Sequence, residues 1–503
     1  MKIIKKDAVV IGAGPAGTAA AEKLHDLGVT DIIVLEKEAR TGGILPQCVH
    51  DGFGLMILGK NITGPEYAEI FDRRIRKKNI DVRLSVTVMS VTPLTDDIRS
   101  CREPLPDNLA AAKHQRTPEY LVRAEGPEGP FAITARTVIT ASGCHERSRG
   151  SMMIPGSRAS GIWTAGTAQN LINLKGLMTG RDIVILGSGD IGLIMARRFT
   201  LEGAHVICVL EREKTPGGLK RNIRQCLDDY DIPLRCSATV TDIIGSGRIS
   251  AVKIMEVAAD GSLLPGTEET IRCDTLVLSA GLEPENAVLE PVIEEMSKQT
   301  AEPEDDASCC GDGIFVCGNA LYVHGLADDV TQNGRKAAVQ AAKFLSDPAD
   351  AAVLSSPYTL RNISRTRAEN RRDVARRKAA AAADINSMTL TCILCPNSCE
   401  ISYTDAAEPE FSGYKCPKGL EYAKTELTAP VRTLTSTVTL TGSSEGYISV
   451  SVRTSRPIPK STLVDAMKKL RRFTAEAPVS CGDVLISDFI CPGTDLIATS
   501  SHK

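Results

Sequence analysis

Two glycine-rich turns constrain the fold of this chain more than any other feature. The segments IGAGPAG at 11–17 and LGSGDIG at 186–192 each lie between an apolar run and a segment with the composition of a helix. In such a pattern the first glycine makes a tight turn, the second lets the backbone approach a ligand and the third lets the helix pack closely. The helix amino terminus then holds a pyrophosphate. We therefore expect two dinucleotide-binding units, built on Gly12, Gly14 and Gly17 and on Gly187, Gly189 and Gly192.

An acidic residue follows each turn where this pattern needs a partner for a ribose hydroxyl. The run DIIVLEKE ends near Glu36 and the run AHVICVLERE near Glu211, each about 20 residues after the glycines. An acid at the second position favours NAD, whereas the neighbouring Arg212 would accept the 2′-phosphate of NADP, so both nucleotides stay open. Asp190, inside the second turn, is expected to balance the charge of a helix amino terminus.

Three further apolar strands end in glycine or asparagine, at 137–143, 274–281 and 313–319. Together with the two turns they resemble the pyridine nucleotide-disulfide oxidoreductase superfamily, whose flavin reductases carry two dinucleotide domains. The resemblance implies that the first unit binds FAD and the second NAD(H). It also places Asn319 at the flavin ribityl chain, where the family pattern has an aspartate. This departure keeps a hydrogen-bonding side chain but removes its charge.

The resemblance narrows in EKEARTGGILPQCVHDGFG at 36–54, TASGCHERSRG at 140–150 and VCGNALYVHGLADDVTQNGRKAA at 316–338. These segments are similar to a flavoprotein subfamily that includes subunits of opine oxidase and hydrogen cyanide synthase, and oxidoreductases associated with glycerol-3-phosphate dehydrogenase. The similarity covers nearly all of 1–350, and it implies that the helix after Val330 points its amino terminus at the flavin ring. The other residues expected at the FAD site are Lys37, Gly42, Gly43, Val88, Ser142, Gly143 and Gly318.

The cysteines of the first 350 residues do not have the spacing of a dithiol exchange site, which is usually CxxC or CxxxxC. Cys48 stands alone, and Cys309 and Cys310 are adjacent in a polar loop. Cys48 and His50 are candidate proton donors to the flavin, with a packed thiol and a turn histidine as the alternative. His324 is a third candidate for proton transfer.

A second cluster of chemistry-bearing residues lies in TCILCPNSCEISY and GYKCPKG, which carry Cys392, Cys395, Cys399 and Cys416. Four thiolates with this grouping can surround one metal centre. In a reducing cytoplasm the grouping favours metal over disulfides. Zinc and a 4Fe-4S cluster both accept four thiolates, but three cysteines in one short turn favour iron–sulfur.

This cysteine pattern is similar to the small 4Fe-4S domain of molybdopterin oxidoreductases, with Lys418 at the position that lies between cluster and pterin in that family. Fewer than ninety residues follow Cys416, too few for a molybdenum-cofactor domain. Residues 388–500 also resemble an uncharacterised cysteine-domain family found beside or fused to this flavoprotein type. Either Cys481 or Cys491 could replace Cys416 as a ligand, but both are expected to be ordinary buried thiols.

Length and composition fit several domains, because 503 residues with 42% hydrophobic side chains exceed a single core. The predicted fold is α/β, with two Rossmann-like dinucleotide-binding domains of the three-layer ββα type and a small α+β cysteine-rich domain. A polar excursion at 96–118 is expected to have no catalytic role. The expected domains are FAD-binding at 1–150 and 285–350, NAD(P)-binding at 151–284, a basic helical linker at 351–387 and iron–sulfur at 388–503.

The expected function is hydride transfer between nicotinamide and flavin, followed by single-electron transfer to the cysteine-ligated cluster. By resemblance the partner is a flavoprotein of the glycerol-3-phosphate dehydrogenase type in a hetero-oligomer. No apolar run approaches the about 18 residues of a membrane span, and no leader resembles a signal peptide, so we expect a cytoplasmic protein. A net charge of -3 and the lack of a recognition motif argue against nucleic acid. Two alternatives remain: an electron-transfer or assembly subunit of an amine or opine oxidase that NADH does not reduce, and a flavoprotein with a structural zinc docking domain.

Overall fold

A computed structural model describes residues 2–94, 119–299, 313–347, 388–404 and 409–503. The polar excursion at 96–118, the Cys309 and Cys310 pair and the linker at 351–387 lie outside the described residues. The α-helices are α1 Pro15–Asp26, α2 Gly64–Lys77, α3 Ala165–Lys175, α4 Asp190–Leu201, α5 Lys220–Cys226, α6 Glu290–Gln299, α7 Ala327–Ser346, α8 Pro417–Thr428 and α9 Leu463–Leu470.

The first unit is built on a seven-stranded sheet whose centre is parallel. Its central strand, Lys2–Ile11, pairs in parallel with Ile32–Leu35 on one side and with Gly129–Thr140 on the other. Ile314–Val316 pairs in parallel with the carboxyl end of Gly129–Thr140. The chain therefore returns to this sheet after the residues of the second unit. The remaining strands of the sheet are Asp81–Arg83, Thr87–Pro93 and Tyr120–Gly126.

Helices α1 and α7 pack against each other because their contact face consists of small residues. Ala16, Ala19 and Ala20 of α1 are buried, and a Cβ added at Gly334 of α7 would lie 2.1 Å from the Ala16 carbonyl oxygen. Helix α2 begins with a capping box in which Thr63 and Glu66 bond each other's backbone N–H groups. The first glycine turn lies between the carboxyl end of the central strand, Lys2–Ile11, and the start of α1.

The second unit has three layers. Its parallel sheet runs in the order Ile162–Thr164, Thr275–Leu278, Asp182–Leu186, His205–Leu210 and Leu234–Arg235. Ile183 and Ile185 face α3 and α4, whereas Val184 and Leu186 face an antiparallel sheet, so every apolar side chain of this strand is covered. The antiparallel sheet contains Ala238–Ser246, Arg248–Glu256 and Glu269–Arg272.

Two short strand pairs lie outside these sheets. Cys144–Glu146 pairs with Leu282–Pro284 where the chain crosses between the two units. Asp51–Phe53 pairs with Ile62–Thr63 just before α2.

The C-terminal region consists of two small pieces. The cysteine loops lie on a three-stranded sheet of Thr389–Thr391, Glu400–Tyr403 and Phe411–Ser412, with α8 packed on Ile401. The second piece, residues 431–503, is called the C-terminal sheet domain below. It has a short pair, Val431–Arg432 with Ile458–Pro459, and a sheet in the order Thr474–Glu476, Thr435–Thr441, Ser449–Thr454, Leu496–Ala498 and Val484–Ile486, covered by α9.

The C-terminal sheet domain touches both nucleotide-type units. Leu201 at the end of α4 is buried in its core, and Arg198 donates to Ser436 Oγ at 2.7 Å. On the other side Arg453 forms an ion pair of 3.2 Å with Glu66 at the start of α2. The predicted fold class is confirmed. Of the helices in the described parts of the chain, none is long and apolar enough to cross a membrane.

Candidate nucleotide and electron-transfer site

The first glycine turn forms an open cradle at the amino terminus of α1. A Cβ at Gly12, where φ is +96°, would lie 2.5 Å from the Ala141 carbonyl oxygen, and one at Gly17 would lie 1.8 Å from the Gly12 carbonyl oxygen. Gly14 has space in front of it, because the nearest atom to its added Cβ is Cα of Gly43 at 3.8 Å. No side chain caps α1. The free N–H groups of its first turn therefore face the space in which a pyrophosphate fits.

The second turn repeats this geometry. A Cβ at Gly187, where φ is +107°, would lie 2.1 Å from the Ser279 carbonyl oxygen, and one at Gly192 would lie 2.5 Å from the Gly187 carbonyl oxygen. The nearest atoms to a Cβ at Gly189 are 4.0 Å away. The first and third glycines are thus fixed by packing, and the second leaves room for a ligand.

The two predicted acids occupy equivalent places beside the two turns. Buried Glu36 accepts from the Ala13 N–H at 2.7 Å and from the Glu38 N–H at 2.9 Å. Buried Glu211 accepts from the Ser188 N–H at 3.1 Å and from the Glu213 N–H at 2.9 Å. Each carboxylate is therefore held against its glycine turn by backbone donors, with acceptor capacity left over.

Charged neighbours of these acids point elsewhere. Lys37 is exposed. Arg212 donates to the Gly261 carbonyl oxygen at 3.0 Å. Asp190 accepts from the Leu219 N–H at 2.8 Å and from Asn222 Nδ2 at 2.7 Å, so it ties the start of α5 to the second turn.

The GG turn and the strand ends expected at the flavin lie around the first glycine turn. The Gly42 N–H donates to the Ala13 carbonyl oxygen at 2.8 Å, and a Cβ at Gly43 would lie 3.1 Å from Cα of Gly14. Ser142 Oγ donates to the Glu285 carbonyl oxygen, and Gly143 accepts from the Glu285 N–H at 2.9 Å. The GG turn and the segment that follows strand Gly129–Thr140 are therefore both held close to the cradle.

Val88 is placed by the sheet rather than by the cradle. It pairs with Ala124 and lies two residues beyond Val86, whose N–H donates to the Glu36 carbonyl oxygen at 2.8 Å. Its side chain packs against the core on that face of the sheet.

Asn319 is held at both ends of its amide. Its oxygen accepts from the His324 N–H at 3.0 Å and lies 3.3 Å from His324 Nδ1, and its Nδ2 donates to Cys144 Sγ at 3.5 Å. Burial raises the pKa of Cys144, so the thiol stays protonated. Sequence reasoning assigned no role to Cys144, and its only signal was its place directly after the strand that ends at Gly143.

The turn before Asn319 is packed against α1 and α7. The Gly318 N–H donates to Asn333 Oδ1 at 2.7 Å, and a Cβ at Gly318 would lie 2.7 Å from the Ala16 Cβ and 3.2 Å from Val330. Val330 is buried in the first turns of α7. The ring of His324 stacks on Tyr322, with centroids 4.0 Å apart.

Cys48 and His50 are held in their neutral forms. Burial raises the pKa of Cys48 to about 12, and its Sγ donates to the Ile44 carbonyl oxygen at 3.4 Å. Burial lowers the pKa of His50, and the nearby Arg221 and Arg197 lower it further. At neutral pH the Cys48 thiol is therefore protonated and the His50 imidazole is uncharged. Because the thiolate is the nucleophilic form of cysteine, Cys48 does not act as a thiolate nucleophile.

An amide network that the sequence did not reveal joins the two nucleotide-type units beside Cys48. Gln47 donates to the Gly166 carbonyl oxygen at 3.0 Å and to Gln169 Oε1 at 3.1 Å, and its own carbonyl accepts from Asn173 Nδ2 at 2.8 Å. All three amide side chains are buried. The only signal in the sequence was the presence of polar amides on an otherwise apolar helix.

The four predicted metal ligands lie on two loops at the amino terminus of α8. The Cys392 N–H donates to the Cys399 carbonyl oxygen at 2.9 Å, and Cys416 is the residue that precedes α8. Cys392 and Cys399 are buried, Cys395 is half-buried and Cys416 is exposed. Burial raises the pKa of Cys392, and the thiols of Cys395, Cys399 and Cys416 raise it further.

The side chains at these loops are soft thiols, the ligand type that a cluster or zinc takes, but the arrangement in the structure is not that of a ligand shell. Among the described residues, no group of three or more Cys, His, Asp or Glu side chains is set closely enough to hold a metal ion. Lys418 is exposed in the first turn of α8. Cys481 and Cys491 are half-buried in the C-terminal sheet domain, and burial raises the pKa of Cys481 to about 12.

A family model described as Pyridine nucleotide-disulphide oxidoreductase matches residues 6–343. The chain belongs to this family. Membership implies binding of FAD and NAD(P), and it makes the protein an oxidoreductase that uses a flavin to transfer electrons. A second model, described as Protein of unknown function (DUF1667), matches residues 417–500. That match begins directly after Cys416, so all four cysteines precede it.

Several curated proteins are similar to this family member. The α-subunit of sarcosine oxidase from Corynebacterium sp. (strain P-1) is 24% identical over 56% of this chain and 27% of its own length. Hydrogen cyanide synthase subunit HcnB of Pseudomonas protegens is 25% identical over 55% of this chain and 56% of its own. An opine oxidase subunit of Agrobacterium tumefaciens is 22% identical over 73% of this chain and 70% of its own. The chain therefore spans only 27% and 56% of the first two relatives.

Solved structures of thioredoxin reductases are also similar to the chain. The enzyme of T. acidophilum has a TM-score of 0.48 at 21% identity and covers 67% of this chain and 98% of its own. The enzyme of Lactococcus lactis has a TM-score of 0.49 at 17% identity and covers 68% of this chain and 99% of its own.

Proposed function

We propose that this oxidoreductase carries electrons from NAD(P)H through FAD to a 4Fe-4S cluster held by Cys392, Cys395, Cys399 and Cys416. The observation that carries the proposal is that one short segment contacts both the second glycine turn and the cysteine loop. Leu219 of that segment donates its N–H to Asp190, and Arg221 donates its N–H to Ser398 Oγ at 3.3 Å. The segment joins the proposed nicotinamide site to the cysteine loop, which supports a common electron-transfer function for the two.

The residues of the chain have separate tasks in this proposal. The amino termini of α1 and α4 bind the two pyrophosphates, and Glu36 and Glu211 accept hydrogen bonds from ribose hydroxyls. Asn319 is a neutral hydrogen-bonding partner for the flavin side chain, and Cys48 and His50 hold or accept a proton beside it. The chemistry that FAD would supply when bound is acceptance of a hydride from the nicotinamide as two electrons and their release one at a time.

NAD is the proposed nicotinamide nucleotide. Glu211 is fixed beside the second turn, where its negative charge opposes a 2′-phosphate, and Arg212 is engaged with the Gly261 carbonyl oxygen. We expect a higher kcat/KM for NADH than for NADPH. Glu211→Gln removes the charge but keeps the size of the side chain, so it should lower the ratio of kcat/KM for NADH to kcat/KM for NADPH. Glu213→Gln should leave this ratio unchanged.

The proposed partner is a flavoprotein of the glycerol-3-phosphate dehydrogenase type, in a cytoplasmic hetero-oligomer. The resemblance in 36–54, 140–150 and 316–338 supports this partner, and the similar sarcosine oxidase, hydrogen cyanide synthase and opine oxidase chains are all named as subunits. The test is anaerobic reduction of the flavin in the purified complex by glycerol 3-phosphate. Sarcosine and an opine are tested separately as alternative electron donors.

The decisive experiment is the visible spectrum of anaerobically purified protein before and after one equivalent of NADH, with iron and sulfide analysis. The proposal expects four irons per chain. Because one NADH supplies two electrons whereas FAD and a cluster together take three, it expects partial flavin bleaching together with partial loss of the broad iron–sulfur absorbance. Cys395→Ser should lose the iron, whereas Cys481→Ser should keep it. A protein that binds FAD but no iron after anaerobic reconstitution contradicts the cluster.

Similarity to the opine oxidase subunit over 70% of that relative favours one alternative. In it the chain is an electron-transfer or assembly subunit of an amine or opine oxidase, and its second turn binds a nucleotide that is never reduced. A flavin spectrum that neither NADH nor NADPH changes would select this alternative. Zinc without iron would select a structural docking role for the cysteine loops.

A further inference from the structure

One strand of the C-terminal sheet domain contacts both nucleotide-type units. This strand, Ser449–Thr454, packs the side chains of Val450 and Val452 into the core of its own domain. Because side chains alternate along a strand, Ser449 and Arg453 lie on its other face. That face meets a helix of each unit, so we call Ser449–Thr454 the bridging strand.

The amino end of the bridging strand is attached to the second unit. Ser449 Oγ donates to the Asn173 carbonyl oxygen at 3.0 Å, near the carboxyl end of α3. The Asn173 residue is 3% exposed, and its side chain donates to the Gln47 carbonyl oxygen of the first unit at 2.8 Å. Asn173 is therefore a junction at which the two units and the sheet domain meet.

The carboxyl end of the bridging strand is attached to the first unit. Arg453 Nη2 and Nε lie 3.2 and 3.3 Å from Glu66 Oε1 at the amino terminus of α2. One turn further along α2, Glu69 Oε1 accepts from Ser501 Oγ at 2.8 Å. The Arg453 and Glu66 side chains are 24% and 12% exposed, so water and salt screen this pair only in part.

The rest of the sheet domain is attached to the second unit through buried groups. Leu201 of α4 lies in the core of the domain, Arg198 donates to Ser436 Oγ at 2.7 Å, and Arg432 donates to Asp229 at 2.6 Å. The contacts with the first unit are more exposed than these. They are therefore the contacts that a substitution can release while the domain stays on the second unit.

We propose that the C-terminal sheet domain is an interdomain clamp, in which the bridging strand holds α2 and α3 at a fixed separation. Units of one chain that meet through a small polar interface are otherwise expected to move relative to each other. Ser449 and Arg453 are four positions apart, which is about 13 Å along a strand. Because the strand belongs to a five-stranded sheet, this spacing is rigid. The clamp gives residues 431–503 a role that depends neither on the electron route nor on the cysteines.

Hydrogen exchange at the crossing strands, Cys144–Glu146 and Leu282–Pro284, reports relative motion of the two units. These strands pair where the chain passes between the units, so their hydrogen bonds open when the units move apart. Neither strand contains a residue that the test substitutes. The central strands Lys2–Ile11 and Asp182–Leu186 report whether each unit stays folded. Mass spectrometry of the full chain after exchange in deuterium oxide measures all four.

The main variant is Arg453→Glu, which places a carboxylate against Glu66 and Glu69 and so releases the attachment to the first unit. Arg453→Lys keeps the positive charge. Lys468→Glu is the matched control, because it makes the same change in charge on α9, where Lys468 is 63% exposed and pairs with Asp465.

We expect the amides of the crossing strands to exchange at least about fivefold faster in Arg453→Glu than in the wild type, with the two central strands unchanged. Arg453→Lys should stay within about twofold of the wild type, and Lys468→Glu should match it. If the central strands also exchange faster in Arg453→Glu, the fold itself has weakened. The double variant Arg453→Gln with Ser501→Ala then decides, since it removes the same two contacts without adding a charge.

The inference is overturned if exchange in Arg453→Glu speeds up at 64–69 and 449–454 but stays at the wild-type rate in the crossing strands. The sheet domain would then be attached to the second unit without restraining the first. Equal acceleration in Arg453→Glu and Lys468→Glu would overturn it as well. Exchange is measured without NADH, so failure of the proposed electron transfer would leave these results standing.

Discussion

The Arg432 guanidinium and the Glu426 carboxylate form a bidentate pair in which both hydrogen bonds measure 2.7 Å. Each side chain is 4% exposed. The other face of the same guanidinium donates to Asp229 of the second unit at 2.6 and 3.0 Å. The C-terminal region is thus joined to the nucleotide-type part by a buried ionic network.

Breaking this network should destabilise the interface strongly. Arg432→Met leaves two buried carboxylates without their main partner, and such a loss costs about 3–5 kcal/mol. Arg453→Gln removes a more exposed pair with Glu66 and should cost about 1 kcal/mol or less. Urea titration followed by circular dichroism measures both, and equal midpoints for the two variants would contradict the importance of the network.

The nucleotide units were predictable because their signals are local. Gly12, Gly17 and Glu36 lie within one strand–turn–helix–strand segment, and each of these residue types has one main physical reason to be there. Arg432 and Asp229 are 203 positions apart in the sequence, and neither residue type by itself indicates a partner so far away in the chain. The burial that keeps Cys48 protonated likewise comes from packing between domains, which no spacing in the sequence encodes.

Alanine substitutions at different glycines of the two turns should affect either the stability of the fold or the binding of the ligand. Gly17→Ala places a Cβ 1.8 Å from the Gly12 carbonyl oxygen and should destabilise the ligand-free protein. Gly14→Ala meets no atom closer than 3.8 Å, so it should fold and yet lose FAD at least about tenfold more readily. Differential scanning fluorimetry and flavin retention on gel filtration measure the two effects.

The second turn provides the matched control. Gly189→Ala has its nearest atoms at 4.0 Å, so FAD content should be normal while the KM for NADH rises. A parallel loss of FAD in Gly189→Ala would show that the two turns do not act on separate ligands.

Thiol labelling should distinguish Cys48 from the cysteine loops. Burial raises the pKa of Cys48 to about 12, so it should resist iodoacetamide at pH 8, where exposed Cys416 reacts once any metal has been removed. Mass spectrometry of peptides from chelator-treated protein measures the order of labelling. Rapid labelling of the half-buried Cys48 in folded protein would contradict its raised pKa.

His502 should make the protein less stable in mild acid. Burial, with a smaller contribution from Arg40, lowers the pKa of His502 to about 4, and its Nε2 lies 2.9 Å from Ser500 Oγ. The unfolded chain takes up a proton at this residue below about pH 6.5, whereas the folded protein does so only near pH 4. The folded state therefore loses up to about 3 kcal/mol between those pH values and loses nothing more from this group below them.

The variant His502→Gln keeps a nitrogen or oxygen near the Nε2 position but cannot be protonated, so its stability should fall less steeply than that of the wild type between pH 6.5 and pH 4. His205→Gln is the control, because the His205 side chain is 72% exposed and should leave the slope unchanged. Urea midpoints at pH 7.5, 6.5, 5.5 and 4.5 give the slopes. If His502→Gln and the wild type lose stability in parallel, another group causes the loss of stability in acid. Protonation of His502 would then not change the free energy of unfolding.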